Sequence, residues 1–451
     1  MRHPGLSSLP SAFLLAALLL IGAGCAVRGA DEKLTLPVQD AGAYHGLSGG
    51  SLLMSPAVQG VAWSDFILRH FDPWDRNQPE YPADKVFWGL AAFADQQLYG
   101  ENLQPLDPGW LDAMAEASRV RRYPSLNRRA IAVANTAMRV LPTGKPAFDD
   151  PRRAGEGFPF DYVQNSLVLA GTPLYATHES ADRAWVLVES RFAYGWVRSA
   201  DIAWVDDKFA RAYKTGVYAA VVREEVSLAD EGGVFRFKGF IGTLLPVAKG
   251  SDSAGSKATN GGFTVLVPAR DALGRAVVKR AHIAPGDALT APLAPTPDNF
   301  AMLADRMLGE PYGWGGLYTD RDCSATIMDL MAAFGIFLPR NSSQQAKIGW
   351  VQPLDAVDDT AKKTLLLKEG VPFLTLVRKP GHIMLYIGSM DGEPVVLQTI
   401  WGLKTRRGGI EGRRIIGRTV ISTLEPGKNL RDLARPEGVL LHSVRSFNTL
   451  P

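Results

Sequence analysis

The segment Tyr312-Gly-Trp314-Gly-Gly316-Leu-Tyr-Thr-Asp-Arg321-Asp322-Cys323-Ser324 decides the reading of this chain, because a Gly/Trp-rich loop turns there directly into an apolar-periodic run. Ile327, Leu330, Met331 and Phe334 recur at the helical i, i+3, i+4, i+7 spacing. The spacing predicts a helix with Cys323 in its first turn. Unpaired backbone N–H groups and the helix dipole favour a thiolate at that position, and the thiolate is the nucleophilic form. A free cysteine more commonly serves as a small buried hydrophobe. Asp322 before it and Ser324 after it argue for a polar, reactive setting instead.

Working outward, 451 residues are too many for one ordinary domain, so about two to four are expected. An apolar content of 46% with 21% charged residues describes a chain with packed cores rather than a disordered one. The formal net charge of +3 is small for this length and gives no support to a nucleic-acid partner. The two cysteines, Cys25 and Cys323, are too few for a disulfide framework or a cysteine-built metal cluster. Neither a metal nor an organic cofactor is expected.

The N-terminus accounts for one of the two thiols. Arg2 and His3 precede an apolar run from Ala12 to Ile21, and Gly22-Ala23-Gly24 lead into Cys25. The run is shorter than the ~20 apolar residues a spanning helix needs, so residues 1–24 read as a secretory signal peptide. A cysteine directly after small residues resembles a bacterial lipoprotein signal, which implies lipidation of Cys25 and an envelope location on the membrane. Gly22 stands where that signal usually carries leucine, which leaves plain secretion as the alternative. With Cys25 lipidated, Cys323 is the one free thiol in an oxidising compartment, a placement that fits catalysis better than structure.

No period of 20–50 residues repeats clearly. Residues 25–50, polar and Gly-rich from 31 on, read as a tether, and 51–140 as a helical region with breakers at Asp72-Pro73 and further on. Short strand-like runs follow: Ser166 to Ala170, Pro173 to Ala176, Ala184 to Glu189 and Tyr194 to Val197. Gly171-Thr-Pro-Leu-Tyr175, Trp185-Val-Leu-Val-Glu189 and Gly195-Trp196-Val197-Arg198 resemble a bacterial SH3-like domain, placed at 141–215. A second SH3-like barrel is assigned to 216–290, with a Ser/Gly/Ala loop from Ser251 to Gly261. The Pro-rich stretch 291–298 is a linker, Asp298-Asn299 caps a helix through Met307, and 299–451 form the last domain.

A thiol that attacks an amide needs a base and a group that orients the base. The last domain holds only His382 and His442. His382 opens an alternating strand, Asp391-Gly392 makes a turn, and Gln398 lies on the returning strand, where its amide oxygen is placed to accept the imidazole N–H. His442 lacks such a partner and reads as structural. Cys323, His382 and Gln398 follow the order of a papain-like cysteine peptidase.

Tyr312-x-Trp314-Gly-Gly316, Asp322-Cys323-Ser324, Gly335-Ile-x-Leu338-Pro339-Arg340-x-Ser342-x-x-Gln345 and Gly381-His382 together resemble the NlpC-type bacterial cell-wall cysteine peptidases over roughly residues 300–425. With the SH3-like domains and His70-Phe-Asp-Pro-Trp74, the chain is similar to multidomain members that cleave γ-D-glutamyl–diamino acid bonds of murein peptides. The resemblance implies an α+β fold, with Cys323 as nucleophile, His382 as base and Gln398 as the third polar residue. It further implies that Tyr312, Trp314, Asp322, Ser324, Arg340 and Ser342 bind substrate, and that Glu189 contacts a peptide amine. An SH3-like wall beside the groove would favour murein peptides with a free L-Ala end, handled by a monomer. Ala325 stands where glycine is common, and Asn341 where related enzymes carry a charge, often aspartate. The basic stretch Lys404, Arg406, Arg407, Arg413, Arg414 and Arg418 reads as a solvated face, with attraction to acidic murein peptide as the alternative. Two other functions remain open: an inactive murein-binding scaffold, and an acyltransferase on the same fold.

Overall fold

The computed structural model describes residues 33–249 and 262–451. The signal segment, Cys25 and the loop Ser251–Gly261 lie outside the described residues.

Helix α1 (Pro56–Asp75) is started by Ser55, whose side chain accepts from Val58 N, and by Pro56 in the first turn. Its buried face carries Phe66, His70, Phe71 and Trp74, one helical stripe. The helix ties units together. Trp74 donates its indole N–H to the Ala130 carbonyl at 2.7 Å, and Gln59 donates to the Leu293 carbonyl at 2.6 Å. Short helices α2 (Ala83–Val86), α3 (Trp88–Ala92) and α4 (Trp110–Ser118) complete the N-terminal region.

The first barrel is a seven-stranded sheet of β1 (Arg128–Ala132), β2 (Thr136–Arg139), β3 (Gln164–Val168), β4 (Pro173–Glu179), β5 (Trp185–Glu189), β6 (Tyr194–Arg198) and β7 (Ile202–Trp204). Their order is β3-β2-β6-β5-β4-β1-β7, antiparallel throughout. The sheet thus begins at Arg128, inside the stretch expected to be helical up to 140. Arg-Arg-Ala-Ile-Ala is made mostly of good helix formers, and pairing of β1 with β4 and β7 overrides that preference.

Helix α5 (Asp207–Tyr213) leads to the second strand-rich unit: β8 (Tyr218–Val221), β9 (Val226–Ala229), β10 (Phe235–Gly239), β11 (Leu244–Pro246), β12 (Phe263–Arg270), β13 (Ala276–Ile283) and β14 (Ala288–Ala291). It consists of the β11-β8-β14 sheet and the hairpins β9/β10 and β12/β13, closed on a core with Leu228, Phe237 and Val265.

The last domain opens with α6 (Pro297–Met307), capped by Thr296 rather than by Asp298-Asn299, which fall inside its first turn. Helix α7 (Cys323–Ala333) is buried along its whole length, and α8 (Ser342–Gln345) follows. Then come β15 (Trp350–Pro353), α9 (Asp359–Glu369), β16 (Thr375–Lys379), β17 (His382–Met390), β18 (Glu393–Arg407), β19 (Ile410–Thr423), α10 (Leu440–Ser443) and β20 (Ser446–Thr449). The strands form one antiparallel sheet in the order β15-β20-β16-β17-β18-β19. Ile383, Leu385 and Ile387 of β17 pack with α7, whereas Met384 and Tyr386 face a second core under α9.

Part of the expected tether is docked on this domain. Gln39 pairs its side-chain amide with the Ile421 backbone in both directions, at 2.9 and 3.0 Å, covering polar groups of edge strand β19. Leu34 and Leu36 pack on the core beneath it. A single larger core runs from Phe66 and Trp74 through Ile131, Tyr218 and Phe300 to Leu330 and Leu385, so the units share one apolar interior. Replacing Trp74, 1% exposed within that interior, by alanine is therefore expected to destabilise the chain by about 3–5 kcal/mol. Urea unfolding followed by circular dichroism checks this through the transition midpoint.

Candidate active site

Cys323 is the first residue of α7, and Asp322 is its N-cap. Asp322 Oδ1 accepts from Ala325 N at 2.9 Å and from the Ser324 hydroxyl at 3.0 Å, and Oδ2 accepts from Gly315 N at 3.1 Å. Arg340 donates to both carboxylate oxygens, at 3.0 and 2.6 Å, and also to the hydroxyls of Ser324 and Ser166 at 2.9 Å each. The Gly315-Gly316 pair has a steric cause. Both have positive φ, and a Cβ on either would come within 2.7 Å of the β3 backbone, at Gln164 O and Leu167 N respectively. Gln164 completes the seam by donating to the Gly315 carbonyl at 2.9 Å.

His382 and Gln398 share the sheet face that carries Met384 and Val396 on neighbouring strands β17 and β18. His382 Nε2 lies 2.8 Å from Gln398 Oε1, so an Nε2–H donates to the amide oxygen and leaves Nδ1 as the basic atom. Gln398 donates onward to the Ser422 hydroxyl at 2.6 Å, which fixes the orientation of its amide.

The electrostatics differ from the expectation of a resting thiolate. Burial, reinforced by the Asp322 charge, pushes the Cys323 thiol up to about 12, although the Ile383 and Ser324 N–H groups and Arg340 pull the other way. Burial and the nearby Lys379 ammonium lower His382 to about 4. Both shifts favour the uncharged forms, a thiol and a neutral imidazole, at rest. The helix start remains an electrophilic site, but desolvation outweighs it at the sulfur.

A cleft of about 1090 Å³ contains Cys323, His382, Tyr312, Trp314, Asp322, Ser324, Arg340 and Ser342. The structure thus brings together the expected thiol, base and groove residues, with Gln398 buried behind the histidine. It does not bring Glu189 with them. That carboxylate is fully buried, bonded to Arg76 at 2.9 Å and to the Glu80 and Tyr81 N–H groups at 3.0 and 3.2 Å, so it has no free face for a peptide amine. It anchors the segment after α1 to β5. His442 is half exposed, 3.5 Å from Asp359, and does not line the cleft.

Sequence reading missed several cleft residues, Tyr81, Phe160, Tyr194, Lys379 and Trp401, whereas Lys404 and Arg413 of the basic stretch also line the cleft. Phe160 reaches Trp314 and Trp401 edge-on, with ring centroids 5.4 and 6.1 Å apart. The signals available were Lys379 shortly before Gly381-His382 and Trp401 three positions after Gln398.

Comparison with known families follows this architecture. Residues 309–400 match the NlpC/P60 family, and 12–123 the NLPC_P60 N-terminal stabilising domain. Residues 146–198 match an SH3 domain of the SH3b1 type, and 206–251 one of the SH3b2 type. The chain therefore joins an NlpC/P60 papain-like domain to a helical stabilising domain and two SH3b domains, in an α+β fold. Among solved structures it is similar to an NlpC/P60 endopeptidase from Photobacterium damselae subsp. piscicida, at 24% identity, TM-score 0.81, and coverage of 92% of this chain and 97% of that one. That likeness is one of fold. An NlpC/P60 family protein from Bacillus cereus ATCC 10987 aligns at 14% identity over 72% of this chain and 100% of that one, with TM-score 0.45. No curated protein matches the chain.

Two outcomes check the site. Gln398→Ala is expected to lower kcat about tenfold or more with the fold intact by circular dichroism, because the imidazole loses its orienting acceptor. Since His382 is depressed to about 4 from an ordinary 6.5, the neutral base persists on acidification. The acid limb of the kcat/KM profile is accordingly expected near pH 4 rather than 6.5.

Proposed function

We propose that this protein is a cell-wall cysteine peptidase that hydrolyses the γ-D-glutamyl–diamino acid bond of murein peptides. The observation that carries the reading is the juxtaposition of Cys323, at a helix start, with a histidine whose far nitrogen is held by Gln398. In the reaction the Cys323 sulfur attacks the γ-carbonyl while His382 Nδ1 takes the thiol proton. That proton passes to the departing amine as the C–N bond breaks, leaving a thioester. Water, deprotonated by the same nitrogen, then releases the acid and restores the thiol. A concerted transfer suits a resting pair that is uncharged. The Ser324 and Ile383 N–H groups that point at the sulfur lie where negative charge develops.

The cleft lining contains four cations (Arg340, Lys379, Lys404 and Arg413) against two carboxylates, Asp322 and Glu437, a balance that suits an acidic peptide. One side is walled by Tyr81, Trp88 and Phe93 of the N-terminal region and by Phe160, Tyr162 and Tyr194 of the first barrel. That wall supports a preference for peptides with a free L-Ala end over sugar-linked strands. Lipidation of Cys25 would hold this monomer at the bacterial envelope. Among the described residues no helix is long and apolar enough to cross a membrane.

Purified protein is expected to release diaminopimelate from L-Ala-γ-D-Glu-diaminopimelate, and Cys323→Ala to lose at least a thousandfold of kcat, on the order of what loss of a nucleophile costs. Equal turnover by the variant would refute the mechanism. Murein binding without peptide release would assign the scaffold role, and acyl transfer to an added amine in place of hydrolysis the transferase role.

A further inference from the structure

Of the four cations that line the cleft, Arg340 is spent on Asp322, Lys404 pairs with Glu411 at 2.7 Å, and Arg413 on β19 donates to the Gly412 carbonyl at 3.0 Å. Lys379 is different. It ends β16 directly across the ladder from His382, and it lines the same cleft as Cys323. Its ammonium makes a single long hydrogen bond, 3.3 Å, to the Pro380 carbonyl. Among the described residues no carboxylate lies within ion-pairing distance of it, although the side chain is half-buried. Burial lowers its pKa, with the Cys323 charge as the opposing influence. An ammonium that gives up water without gaining an anion is costly, and a site tolerates it where a ligand supplies the anion.

We propose that Lys379 is a specificity residue that pairs with a free carboxylate of the substrate next to the scissile bond. This rests on the peptidase reading. A γ-linked glutamyl residue keeps its α-carboxylate free, four bonds from the scissile carbonyl carbon, whereas an α-linked peptide has spent that group in its backbone. An ammonium set beside the nucleophile and the base therefore selects by charge a residue that keeps a carboxylate free at that reach, as the γ-linked glutamyl does and a neutral α-linked residue does not. The α-carboxylate of the diamino acid on the leaving side offers the same chemistry from the opposite direction. The interaction is a point-charge pair with a flexible donor, so arginine can substitute for it and glutamine cannot.

The test measures kcat and KM for wild type, Lys379→Gln and Lys379→Arg on three peptides. These are L-Ala-γ-D-Glu-diaminopimelate, the same peptide with the glutamyl α-carboxylate as carboxamide, and the same peptide with the diaminopimelate carboxylate nearest the scissile bond as carboxamide. Lys379→Gln is expected to lower kcat/KM on the first peptide roughly ten- to hundredfold, mainly through KM. Lys379→Arg is expected to restore most of that loss. One of the two carboxamides should be turned over equally by wild type and Lys379→Gln, and which one identifies the carboxylate that is read. Equal losses on all three peptides, or none on any, overturn the proposal. Failure of wild type to cleave any peptide refutes the peptidase reading instead. In that event calorimetric binding of the three peptides to Cys323→Ala, with and without Lys379→Gln, decides the role of Lys379 by the same pattern in Kd.

Discussion

The buried ion pair between Arg340 and Asp322 is the constraint on which the site depends. Three elements of two domains meet at it. Asp322 caps α7 and so places Cys323, and it also holds Gly315 N and thereby the Gly/Trp loop. Arg340 reaches past the pair to Ser166 on β3 of the first barrel. Burial alone would raise the Asp322 carboxyl, but Arg340 and the hydrogen bonds from Ala325 and Ser324 hold it below the ordinary carboxylate range. A carboxylate depressed in the folded state stabilises at neutral pH, and that contribution disappears as pH falls through its folded pKa. Removing one partner would leave the other charged and buried, a loss of about 3–5 kcal/mol in comparable pairs.

Burial first, and this pair second, favour the protonated thiol at rest. Asp322 sits beside the sulfur and disfavours a second negative charge, and Arg340, which favours it, has both carboxylate-facing nitrogens engaged. A buried pair of near-zero net charge gives α7 a rigid start without supplying the positive field that would stabilise a thiolate. What lowers the barrier must therefore arrive with the substrate. Its carbonyl oxygen takes up the developing charge near the helix start, while the imidazole takes the proton. The cost of an uncharged resting site is a slower nucleophile, and its gain is a thiol less prone to oxidation.

The chemistry-bearing positions were legible in the sequence because each carries local punctuation. Cys323 follows an N-cap aspartate before a periodic run, and His382 and Gln398 sit on alternating strands joined by an Asp-Gly turn. Positions defined by tertiary contacts were not legible. Glu189, expected to contact a peptide amine, is instead covered by the segment from Arg76 to Tyr81, which consumes its oxygens in a contact that spans more than a hundred residues of sequence. Strand β1 hides in Arg and Ala, residues whose intrinsic preference is helical. Residues 34–45 look like linker because their anchors are scattered single contacts: Leu34 and Leu36 on the core, the Gln39 amide on a sheet edge, the Ala41 N–H on Asp305 and the Tyr44 carbonyl accepting from Ser389.

The position of the cleft follows from this division of labour. The papain-like domain supplies Cys323 and His382, and its groove deepens into a cleft where the N-terminal region and the first barrel wall it, with β3 lying against Gly315 and Gly316. Those glycines admit the barrel backbone at a distance no side chain would permit, and Gln164 and Ser166 lock the seam with hydrogen bonds into the site itself. Helix α1 then binds barrel, linker and catalytic helix into one apolar interior, so the wall cannot swing away without opening the shared core. The wall of the cleft and the placement of Cys323 are consequently set by the same contacts. A barrel with a different β3 would alter both the reach of the cleft and the fixing of Arg340 beside Cys323.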